Sequence, residues 1–371
     1  MIQGIPNDYD LLPSYQKQNR IRHRNCRIQT ITSLLKILGY DIDPNIALIL
    51  SLENFSTVAK IKSRSKIPYC VFIPYLNHLE VNVLDQLGID YSIERIDSID
   101  INSIVDNIRD DKLPIIYFFD TAKLLKRRTT DGFQLGVISS AIIVGVNSSK
   151  DKVLLNALAG RTKYNPVSFV EFDESRESNL LPFKPDKLAL RIKLSEAFIN
   201  GEKLKGLIEE KIHTLVSQHI SMEIKWDNTL YCYDISHGSL AYDSICDYLA
   251  YLKEEVTDMD IKLRLFRKVF GAIRLGICSG TGSFMRKELV EALKFLYKEW
   301  PDYKELNLLI ESFNKTEKEF RNLARFLYKY QINSSTPNGK LDRDIEYVIE
   351  RIKNIREIEN MACINYLDNK G

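Results

Sequence analysis

The stretch Arg20-Ile21-Arg22-His23-Arg24-Asn25-Cys26-Arg27-Ile28-Gln29-Thr30-Ile31-Thr32-Ser33-Leu34-Leu35-Lys36-Ile37-Leu38-Gly39 decides how this chain is read. Ile28, Ile31, Leu34, Leu35 and Leu38 recur at helical spacing, and Gly39 stands where a C-terminal cap is expected. Cys26 therefore falls in the first turn of a helix buried along one stripe. A helix N-terminus stabilises a thiolate through its partial positive charge, so a nucleophilic cysteine is often made there. On spacing alone the competing reading, a small buried hydrophobe, is the commoner fate of a lone cysteine.

Outward from that helix, the pattern predicts a second helix over 44–52, with Pro44 tolerated in its first turn, and a third over 75–87, stopped by Gly88. Short runs rich in β-branched and aromatic residues follow at 114–119, 137–146, 152–158, 167–172 and 188–192. They read as one antiparallel sheet, with Asn147-Ser148-Ser149-Lys150-Asp151 turning the second run into the third. Beyond about residue 194 the chain becomes helical again, apart from a possible extended stretch at 222–233. Amphipathic segments at 244–255, 261–275, 285–299, 306–330 and 343–360 suit a helical bundle. The length of 371 residues favours two cores over one, and the change of pattern divides them into an α+β domain, 1–195, and a helical domain, 196–371.

Composition narrows the functional classes. Hydrophobic residues at 44% and charged residues at 27% describe an ordinary globular chain and exclude collagen-like, disordered and disulfide-scaffold classes. The 52 basic and 50 acidic residues are interspersed, so no global field attracts nucleic acid or an anionic membrane. Lys126-Arg127-Arg128 reads as a solvated loop. The first ten residues have neither a basic nor an apolar signal region, and no later run is long and uncharged enough to span a bilayer. A cytoplasmic protein is expected. The six cysteines (Cys26, Cys70, Cys232, Cys246, Cys278, Cys363) form no C-x-x-C pair and suggest neither a zinc site nor a disulfide framework.

Thiol chemistry needs a base within hydrogen-bond reach of the sulfur and a third group to orient that base. Several stretches suggest where to look. Asn25-Cys26, the helix ending at Leu38-Gly39, residues 42–52, Pro68 and Pro74, and Leu87-Gly88-Ile89 together resemble the N-terminal domain of the butirosin biosynthesis protein H family. His237-Gly238 leading into Asp247-Tyr248-Leu249, and Gly280-Thr281-Gly282 before Phe284 and Arg286, are similar to the helical C-terminal module of that family. The resemblance implies a papain-like fold related to bacteriocin-processing peptidases and adapted to acyl transfer in natural-product assembly. In such enzymes a cysteine takes an acyl group from a carrier-protein thioester and passes it to an amine, forming an amide. It implies no metal and no diffusible cofactor. The substrate would be the phosphopantetheine-bound acyl group of an acyl or peptidyl carrier protein. The partners it implies are that carrier, a small amine acceptor, and another copy of the chain or an active paralogue.

The family's base-bearing strand is a histidine followed by an apolar run and a glycine. Here the matching run is Ser140-Ala141-Ile142-Ile143-Val144-Gly145, so Ser140 takes the histidine position, and Asn156 takes the position of the orienting acid. Cys26, Ser140 and Asn156 cannot relay protons as a triad does. Three readings stay open. The chain is a degenerate copy that binds a carrier protein or an active paralogue; or it borrows a base from His23, His78, His213, His219 or His237; or a reactive thioester acylates Cys26 aided by the helix dipole alone. His23, three residues before the thiol, is the alternative base nearest in sequence. The glycine-rich Gly276-Ile277-Cys278-Ser279-Gly280-Thr281-Gly282 lacks the lysine and preceding strand of a phosphate-binding loop and reads as a helix break, with Arg286 beyond it expected to pair with a carboxylate.

Overall fold

The computed structural model describes residues 8–17, 23–61, 69–72, 79–126, 138–158, 165–178, 185–193, 201–221, 233–278, 283–332 and 340–370. In chain order its elements begin with β1 (Tyr9–Leu11), α1 (Pro13–Gln16), α2 (Cys26–Ile37), α3 (Pro44–Ser51), β2 (Thr57–Ile61), β3 (Tyr69–Phe72), α4 (Leu79–Leu87) and β4 (Tyr91–Arg95). They continue with α5 (Ile101–Arg109), β5 (Ile116–Asp120), α6 (Thr121–Leu124), β6 (Ile138–Asn147), β7 (Lys152–Leu155), β8 (Asn165–Ser168), α7 (Phe169–Ser175) and β9 (Leu188–Ile192). Last come α8 (Gly201–Ser221), β10 (Tyr233–His237), α9 (Ser239–Glu254), α10 (Met259–Cys278), α11 (Arg286–Glu299), α12 (Leu306–Ile332) and α13 (Leu341–Lys370). The chain is of mixed α+β class. It divides into two units, Met1–Ser51 with His78–Leu204, and Leu52–Asn77 with Lys205–Gly371.

The first unit is organised by β6. Every residue of Ile138–Asn147 is buried, so this strand has the continuous apolar character of a sheet centre. Seven strands form the sheet in the order β4-β9-β5-β6-β7-β8, with β1 also paired to β6, and every pairing is antiparallel. α2 packs against β6 and carries Ile28, Ile31, Leu34 and Leu35 at 0% exposure. Each such side chain contributes roughly 1.5–3 kcal/mol by leaving water, so this one stripe anchors the cysteine helix firmly. The helix ends as expected: Gly39 adopts φ +89°, and the Tyr40 N–H donates to Leu35 O at 2.9 Å.

The hairpin between β6 and β7 forms at Asn147–Asp151. Asn147 Oδ1 accepts the Lys152 N–H at 2.9 Å, while its Nδ2 donates to Asp151 Oδ1 at 2.6 Å. A bulge interrupts the β6–β7 register between Ile143 and Gly145. Gly145 suits the close approach of β1, since a Cβ would lie 2.7 Å from Leu11 Cδ2 and 3.1 Å from the Asp10 carbonyl, so that both would have to shift. Some expectations change. The run 167–172 is a strand only as far as Ser168, whose hydroxyl then accepts the Glu171 N–H at 3.4 Å and caps α7. β4 exists through its five-residue pairing with β9, whereas α5 is a local element outside the expected ones: Asp100 caps it, and Ile101, Ile104, Val105 and Ile108 recur at helical spacing along one face. The third helix begins at Leu79, with 75–78 outside the described residues.

The second unit combines the antiparallel sheet β10-β2-β3 with the helices from α9 to α13 and most of α8. Its apolar core runs through Ile245, Leu249, Phe266, Val269, Ile273, Phe320, Leu327, Val348 and Ile352. The sequence patterns suggested one boundary near 195, whereas the chain passes between units at 51/52, at 77/78 and, within α8, at 204/205. Residues 52–77 belong with the helices because β2 pairs with β10 over Thr57↔His237 to Ile61↔Tyr233. The expected extended stretch 222–233 lies mostly outside the described residues; β10 begins at its last position. α10 ends at Cys278, residues 279–282 of the glycine-rich segment lie outside the described residues, and Phe284 and Met285 take left-handed backbone before α11. Among the described residues no helix is long and apolar enough to cross a membrane.

Candidate active site

Cys26 is the first residue of α2. Asn25 before it folds its side chain over the first turn, Oδ1 accepting the Arg27 and Ile28 N–H groups at 3.0 and 3.4 Å. This cap satisfies two of the orphan donors of the helix and fixes where the thiol emerges. Cys26 as a residue is half-buried, and its sulfur lies 2.8 Å from the hydroxyl oxygen of Ser139 on β6. Burial pushes the thiol pKa up from its ordinary value; the Ser139 hydroxyl and the Arg27 guanidinium pull the other way without cancelling it. Cys26 is therefore held as a neutral thiol at physiological pH.

Ser140, the residue expected to face the thiol, is engaged elsewhere. Its hydroxyl donates to Glu80 Oε1 at 2.5 Å, and Glu80 is in turn clasped by Arg27, Nε to Oε1 at 2.9 Å and Nη2 to Oε2 at 2.5 Å. Arg27, Glu80 and Ser140 are each at most 1% exposed. Burial raises the Glu80 carboxyl, but the Arg27 charge and the hydrogen bonds from Arg27 and Ser140 outweigh it and hold the group below its ordinary value. Neighbouring side chains of a strand diverge, so one residue of register exchanges the two serines between thiol and ion pair. The bulge inserts an extra residue into β6 between Ile143 and Gly145.

Asn156 acts as a brace. Its N–H donates to Ile142 O at 3.1 Å and its Oδ1 accepts the Ile142 N–H at 2.9 Å, so the side chain prolongs the β6–β7 ladder beyond β7. Its carbonyl accepts Gln29 Nε2 at 2.8 Å, tying the strand end to α2. The Thr30 hydroxyl, 2.9 Å from the carbonyls of both Cys26 and Ser140 and 3.4 Å from Asn156 Oδ1, joins helix and sheet one turn along from the thiol. Asn156 supports the position of Cys26 without touching its sulfur.

The histidines are placed as follows. His23 turns back on the helix entry, its Nδ1 accepting the Asn25 N–H at 3.1 Å. His78 lies outside the described residues. His213 is exposed on α8, and His219 and His237 are buried in the second unit. Among the described residues the thiol's hydrogen-bond partner is Ser139, and no histidine is hydrogen-bonded to it. Nor do these residues contain a group of three or more His, Cys, Asp or Glu side chains arranged to hold a metal ion. Sequence reading missed Ser139, Arg27 and Glu80. No local signal marks Glu80, because a buried glutamate is recognisable only with its cation, here 53 residues away. Compared with protein-family models and with curated proteins, the chain matches none.

Proposed function

We propose that this chain is a papain-like scaffold that has given up thiolate chemistry and acts by binding, its counterpart being a carrier protein or an active copy of the same fold. The order of elements supports the papain-like part: a capped cysteine helix lies on the central strand of an antiparallel sheet, and a helical unit follows. The observation that carries the loss of chemistry is the 2.8 Å contact between Cys26 Sγ and a serine hydroxyl. A general base works best with a pKa near the operating pH, and a hydroxyl is far from that. Losing a triad member costs on the order of 10⁴-fold or more in rate where it has been measured.

A second reading keeps some support. Cys26 as a residue is only partly buried and stands at the start of a capped twelve-residue helix, where its thiol would exchange with a phosphopantetheine thioester and pass the acyl group to an amine. Intact-mass analysis after incubation with acylated carrier proteins separates the two. The expected result is no adduct, with iodoacetamide labelling of Cys26 rising with pH and reaching no plateau below about pH 8.5, the ordinary thiol value. An acyl adduct present in the natural chain and absent from Cys26→Ala would overturn the binding reading.

A further inference from the structure

We propose that α10 and α12 together form a binding face for single-stranded nucleic acid. This goes beyond the proposed function and does not depend on it. Basic and acidic residues nearly balance over the whole chain, yet the fold sorts them locally. α10 carries five basic residues and one acidic residue, and α12 carries five basic and two acidic residues from Lys315 to Lys329. Packing brings these segments together. Phe270 meets Tyr330 with ring centroids 5.0 Å apart, the Arg274 guanidinium lies 4.6 Å from the centroid of the Tyr328 ring, and Phe284 meets Phe320 at 5.0 Å. Positions rise from 270 to 284 as their partners fall from 330 to 320, so the two helices run antiparallel.

Arg264, Arg267 and Arg274 recur at helical spacing on one face of α10, and Lys315, Lys318, Arg325 and Tyr328 on one face of α12. The contact between Arg274 and Tyr328 joins the two faces end to end. At 1.5 Å per residue they make a row roughly 35 Å long. Arg264, Lys315, Lys318 and Arg325 are exposed and make no ion pair among the described residues. The acids nearest the row are engaged: Glu317 pairs with Arg321, Asp344 with Lys329, and Glu319 with Arg351 of α13.

The side chains present choose among polyanions. A membrane-binding face needs apolar side chains among its cations, and Tyr328, 48% exposed, is the one large apolar side chain exposed on either helix among the described residues. The same lack of an apolar centre denies an acidic protein the anchors that hold most interfaces. A duplex is commonly read by a helix lying in its major groove; α12 cannot enter one, because it packs on α10, α11 and α13. A single strand complements the row on both counts, offering a phosphate charge at every nucleotide to the cations and base faces to an aromatic ring. Arg274 holds the Tyr328 ring in place while about half of that residue stays open to a base.

Fluorescence anisotropy on the full chain with a labelled oligothymidylate of about fifteen nucleotides, within the site sizes of single-strand binders, tests the face. The natural chain is expected to bind it, with affinity falling steeply as salt rises. Lys318→Glu with Arg325→Glu is expected to weaken binding on the order of 30-fold. Lys112→Glu with Lys152→Glu, the same change of charge on exposed lysines of the first unit, is expected to weaken it less than about 3-fold. Tyr328→Ala is expected to cost about 10-fold with oligothymidylate and to leave binding of inorganic polyphosphate, which has no bases, unchanged. Should charge reversal disturb folding, Lys318→Gln with Arg325→Gln is expected to weaken binding about 5-fold. No binding by the natural chain, equal losses in the two lysine–glutamate comparisons, or tighter binding to a duplex or to phosphatidylserine vesicles than to the single strand overturns the proposal. An acyl adduct on Cys26 would instead defeat the proposed function and leave this face standing.

Discussion

Replacing Arg286 by methionine is expected to destabilise the second unit by about 3–5 kcal/mol, the usual consequence of removing one partner of a buried charge pair. Arg286 is 1% exposed, and all of its polar atoms are committed. Nε and Nη2 grip the two oxygens of Glu359 at 2.7 and 2.9 Å; Nη1 donates to Phe55 O at 2.5 Å and to Phe284 O at 3.1 Å. Nη2 also meets Ser56 Oγ at 2.6 Å and the Tyr242 hydroxyl at 2.8 Å, and the guanidinium lies over the Phe313 and Phe320 rings. Glu359 accepts further from Tyr242 at 2.6 Å and Thr316 at 3.0 Å. Without the arginine this carboxylate, 0% exposed, keeps two hydroxyl donors and loses its charge partner. The loss extends to 52–56, since Arg286 holds the Phe55 carbonyl in the segment Leu52–Asn77, which the whole of His78–Leu204 separates in sequence from the rest of the unit. Hydrogen exchange read by mass on peptides of α9 and α11–α13 checks this, because a chain of two units has no single unfolding free energy. Removing both charges, as in Arg286→Met with Glu359→Leu, is expected to recover a large part of the loss. Protection within about 1 kcal/mol of the natural chain in Arg286→Met would show that the pair is not the keystone described.

Lowering the pH from 6.5 to 4 is the second large perturbation, and it acts on the same unit. His219 on α8 is 0% exposed between the rings of Phe55 and Tyr242, with centroids at 5.8 and 6.5 Å. Neither ring nitrogen has a hydrogen-bond partner among the described residues, and Glu359 Oε2 stands 4.0 Å from Nε2. α8 is pinned at this point: Gly238 approaches so closely that a Cβ would lie 2.8 Å from His219 O. Burial outweighs the pull of Glu359, Arg286 opposes protonation, and the imidazole is held down at about 4 from its ordinary 6.5. Burial also brings His237 down to about 4, while its Nδ1 lies 3.0 Å from the Thr57 hydroxyl. The unfolded chain thus takes up these two protons near pH 6.5, whereas the folded unit resists them until about pH 4. Stability is therefore full above 6.5 and is lost as the pH falls through that window. Each histidine contributes roughly 1.4 kcal/mol per pH unit, so about 3 kcal/mol is lost per histidine by pH 4. Denaturant unfolding followed by hydrogen exchange across that range checks the slope, and His219→Leu is expected to flatten it by about half. A stability profile that is flat between pH 6.5 and 4 would contradict the described burial.

The parts of the fold legible in the sequence are those set by local pattern. α2 declared itself through the spacing of Ile28, Ile31, Leu34 and Leu35 and the glycine that ends it, and the β6–β7 turn through Asn147–Asp151. Elements made by distant partners were not visible. β4 pairs with β9 about a hundred residues on, and β2 with β10 about 170 residues on, and that second pairing carries 52–77 out of the first unit. At the candidate site the cysteine and its helix were readable, since both depend on one short stretch. Ser140, the expected thiol-facing position, turns instead to Glu80 while Ser139 meets the sulfur; which of two adjacent serines faces the helix is set by strand register, and an apolar run such as Ala141-Ile142-Ile143-Val144 does not mark it. Arg286 was expected to find a carboxylate, yet Glu359 lies 73 residues away and nothing local singled it out.

The central claim is that the Cys26 sulfur faces Ser139 and not Ser140. A disulfide forms without backbone movement only where the Cβ atoms lie about 3.5–4.5 Å apart, so introduced cysteines report that geometry directly. Under mild oxidation Ser139→Cys is expected to cross-link with Cys26, losing two hydrogens in intact mass and yielding one linked peptide pair on digestion. Ser140→Cys, aimed at Glu80, is expected to keep both thiols free. Cross-linking from position 140 with none from 139 would contradict the register of β6 and everything built on it at this site.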